Sequence, residues 1–585
     1  MTVKKTFPAK LTAAWLHEQY ASGALSPEEV IQEVIRRAER DQAMNIWIEP
    51  PAEAHIRPYL AALGELDLER YPLWGLPFAV KDNIDVQGLP TTAACPEYAY
   101  QPEADAAVVA RLIAAGAIPV GKTNLDQFAT GLVGVRSPYG ETHNALRPEY
   151  ISGGSSAGSA VAVARGQAVF SLGTDTAGSG RVPAALNGLV GYKPSLGAWP
   201  VRGVVPACAS LDCVTVFAHN LDAAFAVDRA ARGFDAADPW SRSVKRRSAA
   251  LPAKLLLPAD PPGFYGPHAD EYRQAWERAE AAVQASGLPV ERVDCTLFYE
   301  AAAILYDGPW VAERWAGLGA FVEQHREAVL PVTASILSSG SAEQHTAASL
   351  FTAMHRLQGY KREAELLLRE AVLVLPTCGG TWTREQVAAD PAGANSAMGR
   401  YTNHCNLLDL SALAVPAGEA AEDLPFGLTL FALADSEHLL AGTGAQLLAE
   451  RLAPEEEAGM MTLAVCGLHM RGFPLEQQML AHGARFWQMA QTAPCYELVR
   501  LPTKPAKPGL LRQTQGGGAV ELELWRMPVE SLGAFAQLIP APLGLGRVAL
   551  DDGREVTGFI CEGYAGAEAG VENITAYGGW RYVPA

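Results

Sequence analysis

No segment of this sequence is long and apolar enough to cross a bilayer, and its cysteines follow no metal-binding pattern. Its apolar runs all fall short of the roughly 18 uncharged residues that a membrane-spanning helix needs. The nine cysteines are scattered, without a Cys-x-x-Cys pair or a zinc spacing. We therefore expect no metal, and free buried thiols in a reducing cytoplasm. No apolar segment follows the two N-terminal lysines, so a signal peptide is not predicted.

Positive charge is also scarce. The chain has 46 Lys and Arg against 64 Asp and Glu, a net charge of −18. This balance argues against nucleic acid or an anionic membrane as a partner. An apolar content of 49% predicts a well-packed globular protein, and 585 residues are enough for two or more domains.

Hydrophobic periodicity predicts a long α/β part. Apolar residues recur at helical spacing in residues 8–40, 270–287, 342–371 and 435–451. Buried strands closed by proline are predicted at residues 372–376 and 412–416. Between residues 105 and 190, short β-branched runs alternate with Ala/Gly-rich stretches, which is typical of an α/β core.

The pattern changes after residue 460. Short alternating segments such as 519–525 and 546–550 are separated by Gly, Pro and Asp-Gly turns, which predicts a β-rich domain of about 125 residues. The acidic, Pro- and Gly-bearing segment 452–459 is typical of a linker. We therefore predict domains at 1–455 and 456–585, without internal repeats.

Three glycine-bounded segments of the first part carry the residue types of a serine hydrolase. They are Gly75-Leu-Pro-Phe-Ala-Val-Lys-Asp-Asn, Ser152-Gly-Gly-Ser-Ser-Ala-Gly-Ser and Gly173-Thr-Asp-Thr-Ala-Gly-Ser-Gly-Arg, and they contain Lys81, Ser155 and Ser179. A serine hydroxyl is a poor nucleophile until a base takes its proton. A lysine can be that base only where burial keeps it neutral. Lys81 closes an apolar run and fits that demand.

Two other motifs compete with this interpretation. Residues 116–123 match the phosphate-loop pattern, but a helical pattern precedes them and Pro119 lacks one of the N–H groups that a phosphate needs. Gly154-Ser-Ser-Ala-Gly matches a nucleophile elbow, which would make Ser156 the nucleophile beside a later acid and His. The alternative for that segment is a turn at a helix N-terminus. The glycines on both sides of Ser179 favour the three-segment interpretation, because a carbonyl could approach the backbone there.

In the order, the spacing and the sequences of these segments, the chain resembles the amidase signature family over roughly residues 10–450. The resemblance implies an α/β fold, with a mixed central sheet covered by helices. It makes Ser179 the nucleophile, Ser155 a bridging serine after a cis peptide with Gly154, and Lys81 the base. It places the oxyanion hole at the backbone N–H groups of Thr176, Ala177, Gly178 and Ser179. Here Ala177 stands where the family commonly has Gly, and a positive φ at that position would be strained.

The segment Gly173–Arg181 and the stretch Leu305-Tyr-Asp-Gly-Pro-Trp-Val-Ala-Glu-Arg resemble the allophanate hydrolase branch of the family. In that branch this Tyr and Arg, Tyr306 and Arg314 here, hold the substrate. Allophanate carries a carboxylate, which a guanidinium binds well. Taken from the residues alone, Arg314 is more typical of a solvated helix surface, paired with Glu313 or Asp307.

The tail is similar to the C-terminal domain of full-length allophanate hydrolases, which implies a smaller α+β domain that assists decarboxylation. We select His469, beside Arg471, as its candidate residue, because a proton donor next to a cation suits a carboxylated substrate. A structural His in a turn is the alternative, and His482 is a weaker candidate.

The resemblance implies a hydrolase that converts allophanate to ammonia and N-carboxycarbamate, without a metal or other cofactor. It further implies a homodimer, whereas the cytoplasmic location is expected from the free cysteines. Urea and cyanuric acid degradation both stay open as the source of allophanate. The alternatives are a broader amidase, a component like that of glutamyl-tRNA amidotransferase, and a non-catalytic binding protein.

Overall fold

The computed structural model describes residues 6–64, 66, 68, 71–450 and 459–584. The chain divides into two compact units. The first comprises Met1–Lys245 and Pro252–Leu452, and the second comprises Arg246–Leu251 and Ala453–Ala585. The boundary predicted between residues 455 and 456 lies outside the described residues.

The first unit is built on an eleven-stranded mixed sheet. Its strands are β1 (Trp47–Glu49), β2 (Pro77–Lys81), β3 (Ile118–Thr123), β4 (Phe170–Asp175), β5 (Val190–Lys193), β6 (Cys213–Ala218), β7 (Lys254–Pro258), β8 (Val290–Val293), β9 (Ala371–Pro376), β10 (Leu410–Ala421) and β11 (Leu424–Leu433). They are ordered β1-β3-β2-β4-β6-β5-β10-β11-β9-β7-β8.

The helices of this unit pack on the sheet and on one another. They are α1 (Ala13–Ala21), α2 (Pro27–Arg40), α3 (Glu53–Leu63), α4 (Ala107–Ala114), α5 (Ala157–Ala164), α6 (Val182–Leu186), α7 (Leu221–Ala231), α8 (Ala269–Gln284), α9 (Thr296–Asp307), α10 (Val311–Gln324), α11 (Pro331–Ser339), α12 (Ala347–Leu367), α13 (Arg384–Ala389), α14 (Gly393–Met398), α15 (His404–Leu407) and α16 (Glu437–Leu448).

Strands β2 and β4 set the position of the site. Each is buried along its whole length, and they pair in parallel with Val80 opposite Leu172. Carboxyl ends of parallel neighbours meet at one edge of a sheet. Lys81, at the end of β2, therefore comes next to the chain that leaves β4.

One predicted strand end is wrong. The strand predicted at residues 412–416 does not close at Pro416 but continues as β10 to Ala421. Pairing of β10 with β5 covers Ala412 to Ala414, so Pro416 pairs only with β11, opposite Gly427. A strand tolerates proline where its N–H side needs no partner.

The second unit is β-rich, as predicted. Its elements are β12 (Met460–Val465), α17 (Glu476–Ala481), β13 (Arg485–Gln491), β14 (Tyr496–Leu501), β15 (Lys507–Arg512), β16 (Glu521–Pro528), α18 (Val529–Ala536), β17 (Leu543–Ala549), β18 (Glu555–Cys561) and β19 (Glu572–Asn573). They form a five-stranded sheet, β13-β16-β12-β18-β17, and a three-stranded sheet, β15-β14-β19.

In the described parts of both units, every helix is too short or too polar to span a membrane.

Candidate active site

Lys81 is fully buried, and its amine contacts two hydroxyl groups. Nζ donates to Ser155 Oγ at 2.8 Å and to Thr174 Oγ1 at 2.7 Å. The structure thus brings together Lys81 and Ser155, which are 74 residues apart in sequence. Thr174 reaches the amine because β4 runs beside β2.

Burial lowers the pKa of Lys81 from 10.5 to about 7, against the opposing charges of Asp126, Asp212 and Asp175. Desolvation penalises the ammonium form, which is the effect that a lysine base requires. A substantial fraction of the amine is therefore neutral near pH 7 and can accept a proton.

Ser155 lies in a tightly held loop before α5. The Gly154–Ser155 peptide bond is cis. A Cβ on Gly154 would lie 2.0 Å from Asp126 Oδ2, so no other residue fits there without displacing this carboxylate. Asp126 in turn accepts the backbone N–H groups of Gly134 at 3.0 Å and Arg136 at 2.9 Å. This acid joins the Ser155 loop to the loop that follows β3.

The loop after β4 is organised by a buried ion pair. Asp175 accepts two hydrogen bonds from the Arg181 guanidinium, both at 2.9 Å. Its carboxylate also accepts the N–H groups of Gly178 at 2.8 Å and Gly180 at 3.0 Å. Burial alone would raise the pKa of Asp175, but Arg181 holds it below its usual value. The pair fixes the backbone on both sides of Ser179.

The backbone of this loop bears on the predicted oxyanion hole. Ala177 does not adopt a positive φ, so alanine causes no strain there, whereas Gly178 has φ +135°. The N–H of Gly178 donates to Asp175, while those of Thr176, Ala177 and Ser179 have no acceptor among the described residues. These three groups can serve a developing negative charge without first breaking a hydrogen bond.

Ser179 is 4% exposed. Its hydroxyl has no hydrogen-bond partner within the described part of the chain, so the Ser155–Ser179 step of the predicted relay is not made here. Such bonds are often long before substrate binds.

A buried carboxylate flanks the loop on another side. Asp212 accepts a hydrogen bond from Thr176 Oγ1, and it also accepts the N–H groups of Ala207 at 2.8 Å and Cys208 at 3.0 Å. Burial raises the pKa of Asp212, although Thr176 and Arg314 oppose the shift.

Arg314 lies in α10 and is only 2% exposed, so the solvated-surface interpretation is wrong. It donates to Thr130 Oγ1 at 3.1 Å and influences the charge of Asp212. Its predicted partner Glu313 instead accepts from the N–H and hydroxyl of Ser210. Tyr306 belongs to the last turn of α9, and its side chain is outside the described part of the structure.

The two competing motifs have structural roles. Ser156 donates to the carbonyl of Thr174 at 3.1 Å and is fully buried before α5. Residues 118–123 of the phosphate-loop match form β3, and Lys122 is buried against Asp82 at 3.1 Å. Neither group is presented to a ligand.

His469 lines a cavity of about 160 Å³ in the second unit. Its ring stacks on Phe559 with centroids 4.8 Å apart, and Nε2 lies 3.0 Å from Gln478 Oε1. Burial lowers the pKa of His469, and the nearby Lys507 lowers it further. A mainly apolar cavity with a few convergent polar groups is typical of a small-ligand site.

The cation that lies beside His469 is Lys507 and not the predicted Arg471. Arg471 turns away to Glu523, with Nε 3.2 Å from Oε1, and its guanidinium lies 3.4 Å from the Phe486 ring centroid. Lys507 lines the cavity instead. His482 follows α17 and bonds the backbone carbonyl of Gln478 through Nδ1 at 2.8 Å.

Sequence reasoning missed Thr174, Asp126, Asp212, Arg181 and Lys507. Thr174 and Arg181 lie in the third glycine-bounded segment, whereas Asp126 follows the end of β3 and Asp212 directly precedes β6. Their position as polar residues next to buried strands is the signal that could have identified them. In the described part of the chain, no cluster of His, Cys, Asp and Glu could hold a metal.

The Amidase family matches residues 29–441, and the allophanate hydrolase C-terminal domain matches residues 461–585. The chain belongs to the amidase family.

Three relatives illustrate its similarities. The structure of a Kluyveromyces lactis allophanate hydrolase has a TM-score of 0.76 and 36% identity, over 98% of each chain. The urea amidolyase of Saccharomyces cerevisiae is 38% identical over 99% of this chain and 34% of its own length. A component of the glutamyl-tRNA(Gln) amidotransferase of Treponema pallidum is 34% identical over 61% of this chain and 78% of its own. This chain thus spans about a third of the urea amidolyases it matches.

Proposed function

We propose that this protein hydrolyses allophanate, and that Lys81, Ser155 and Ser179 carry out the reaction. The observation that carries the proposal is the buried Lys81 amine on Ser155, with a pKa near 7. It occurs in a chain similar along almost all of its length to an allophanate hydrolase.

The reaction would proceed through an acyl-enzyme. Neutral Lys81 takes a proton from Ser155, which takes the proton of Ser179 as Ser179 Oγ attacks the terminal amide carbonyl. Backbone N–H groups at Thr176, Ala177 and Ser179 bind the resulting oxyanion, and Gly178 becomes a fourth donor only if its bond to Asp175 breaks. The relay then protonates the leaving nitrogen, and ammonia departs. Water hydrolyses the acyl-enzyme by the same route and releases N-carboxycarbamate.

Tyr306 and Arg314 would bind the substrate carboxylate. Support for Arg314 comes from its burial near Thr176 and Asp212, where a guanidinium is shielded from water. A shielded guanidinium binds a carboxylate more strongly than an exposed one.

The C-terminal domain, which we place at residues 456–585 after a first domain of 1–455, would assist decarboxylation of N-carboxycarbamate to ammonia and carbon dioxide. The cavity at His469 suits a molecule of that size, and Lys507 adds the positive charge that such an anion needs.

Compartment and assembly are part of the same proposal. All nine cysteines are free, which suits a reducing cytoplasm. The homodimer is a prediction that light scattering on the purified protein would test.

An amidotransferase-like amidase is the second candidate, because of the similarity to the Treponema pallidum amidotransferase component. The two candidates differ in substrate. Ammonia release from allophanate, malonamate and propionamide, measured side by side, should strongly favour allophanate. Preference for the neutral amide would reject the allophanate proposal.

Two variants test the nucleophile within that assay. Ser179→Ala should reduce ammonia release by a factor on the order of 10⁴ or more. Ser156→Ala is the matched control, because Ser156 is the buried serine that the competing nucleophile-elbow motif would make the nucleophile. This variant should retain activity within about tenfold. Loss of activity in Ser156→Ala alone would overturn the assignment.

A further inference from the structure

A cavity of about 600 Å³ lies beside α9 and α14 in the first unit. Its wall includes Tyr299, Ser396, Arg400 and Asn403. Thr402, between two of these residues, packs against the nucleophile loop: a Cβ on Gly178 would lie 2.3 Å from Thr402 Oγ1. The carbonyl of Thr402 also accepts from Arg181 at 3.2 Å. Thr402 therefore links the chain that forms part of the cavity wall to the backbone of the Ser179 loop.

Arg400 is an exposed cation in this wall. Its guanidinium lies 5.6 Å from the ring centroid of Tyr299 and 5.9 Å from that of Tyr401. The Tyr401 hydroxyl is itself fixed, since it donates to the carbonyl of Gly263 at 2.8 Å. Two aromatic rings and a side-chain hydrogen bond to Tyr401 thus hold the arginine in place at the cavity wall.

No carboxylate of the described residues lies within ion-pair distance of Arg400. Asp260 is close enough to raise the pKa of Tyr299, but it makes no ion pair with this arginine. Many other exposed arginines are neutralised, as Arg273 is by Asp270 at 2.6 Å. An unneutralised cation is unusual in a chain of net charge −18.

That net charge has a cost for the proposed substrate, because the overall field repels an anion. A cation in a concave surface can make the local electrostatic potential positive at the point where the anion enters. Arg314 is buried on the Asp212 side of the nucleophile loop, so it cannot attract an anion from solution in this way.

We propose that Arg400 is an outer anion-binding residue, which captures small carboxylates in the cavity beside the nucleophile loop before they reach the inner site. The inference rests on the proposed function, since it requires an anionic amide as substrate. The ligand class is a small carboxylate, for which malonamate and malonate are probes.

The test compares Arg400→Gln with the wild type on malonamate at low and high salt. We expect KM to rise roughly five- to tenfold, as for one charge pair in partly screened surroundings, with kcat within about twofold. The salt dependence of kcat/KM should weaken in the variant, and Arg400→Lys should restore it. Arg273→Gln is the control, because it changes net charge equally at an exposed site on α8. An unchanged KM, or the same rise in Arg273→Gln, would overturn the proposal.

A binding measurement separates this inference from the proposed function. Malonate titrated calorimetrically into Ser179→Ala should bind roughly five- to tenfold more weakly when Arg400→Gln is added. Equal malonate binding with and without Arg400→Gln would reject the outer anion-binding site, even if the protein hydrolyses allophanate. A wild-type enzyme inactive on allophanate but with Arg400-dependent malonate binding would reject only the proposed function.

Discussion

The two candidate centres of this chain both lower the pKa of a basic side chain, but they use very different surroundings. Lys81 is fully buried at the end of a long sheet, among hydroxyl groups and within reach of three acids. His469 is partly exposed and lies against phenylalanine rings, with a lysine nearby. Burial contributes most to the shift in both cases.

The difference follows from the ordinary pKa of each side chain. The ordinary pKa of a lysine is 10.5, so extensive desolvation is needed to bring it near 7, and the fully buried end of β2 provides that environment. A histidine already titrates near neutrality, so a five-stranded sheet with a small cavity is sufficient.

Removing the lysine should have the largest effect. Lys81→Met keeps the length of the side chain but has no base, so ammonia release should fall on the order of 10³-fold or more. Carbon dioxide release from any N-carboxycarbamate supplied to the protein should not change. A circular dichroism melt would check that the variant is folded, and substantial ammonia release by a folded variant would contradict Lys81 as the base.

The pH dependence should have an intermediate effect. Neutral Lys81 is the active form and its pKa is about 7, so kcat/KM should fall as pH decreases through 7. Below the pKa the decline should approach about tenfold per pH unit, with a plateau above it. Initial rates on malonamate, whose carboxylate stays ionised between about pH 5.5 and about 8.5, would measure this. A flat profile would mean that the base is not a group with this pKa.

The smallest effect on ammonia, and the sharpest test of the comparison, should come from His469→Gln. Its initial rate of ammonia release should stay within about twofold of wild type, because the first unit is intact. Carbon dioxide should instead lag behind ammonia, as followed by membrane-inlet mass spectrometry. His482→Gln is the matched control and should show no lag. Equal losses of both products in His469→Gln would indicate a structural role for this histidine.

Short local motifs predicted the fold class and selected Lys81, Ser155 and Ser179 as candidate catalytic residues. They could do so because short glycine-bounded segments encode strand ends and tight loops. Contacts between segments that are distant in sequence could not be predicted in this way. Nothing near Arg314 in sequence indicates that α10 is buried against Thr130, and Arg471 looked like the partner of His469 only because it is two residues away. Lys507 reaches the cavity from another strand. The charge partners of both sites depend on tertiary packing, which one sequence does not specify locally.

The position of the Lys81 pKa has a consequence for the enzyme in weakly buffered surroundings. Complete conversion of allophanate to ammonium and bicarbonate would consume a proton in each turnover and so make the medium more alkaline. Alkalinity increases the share of Lys81 that is unprotonated, because this share changes most steeply near pH 7. The reaction would therefore accelerate as it proceeds, and a progress curve in dilute buffer would bend upward before substrate depletion slows it.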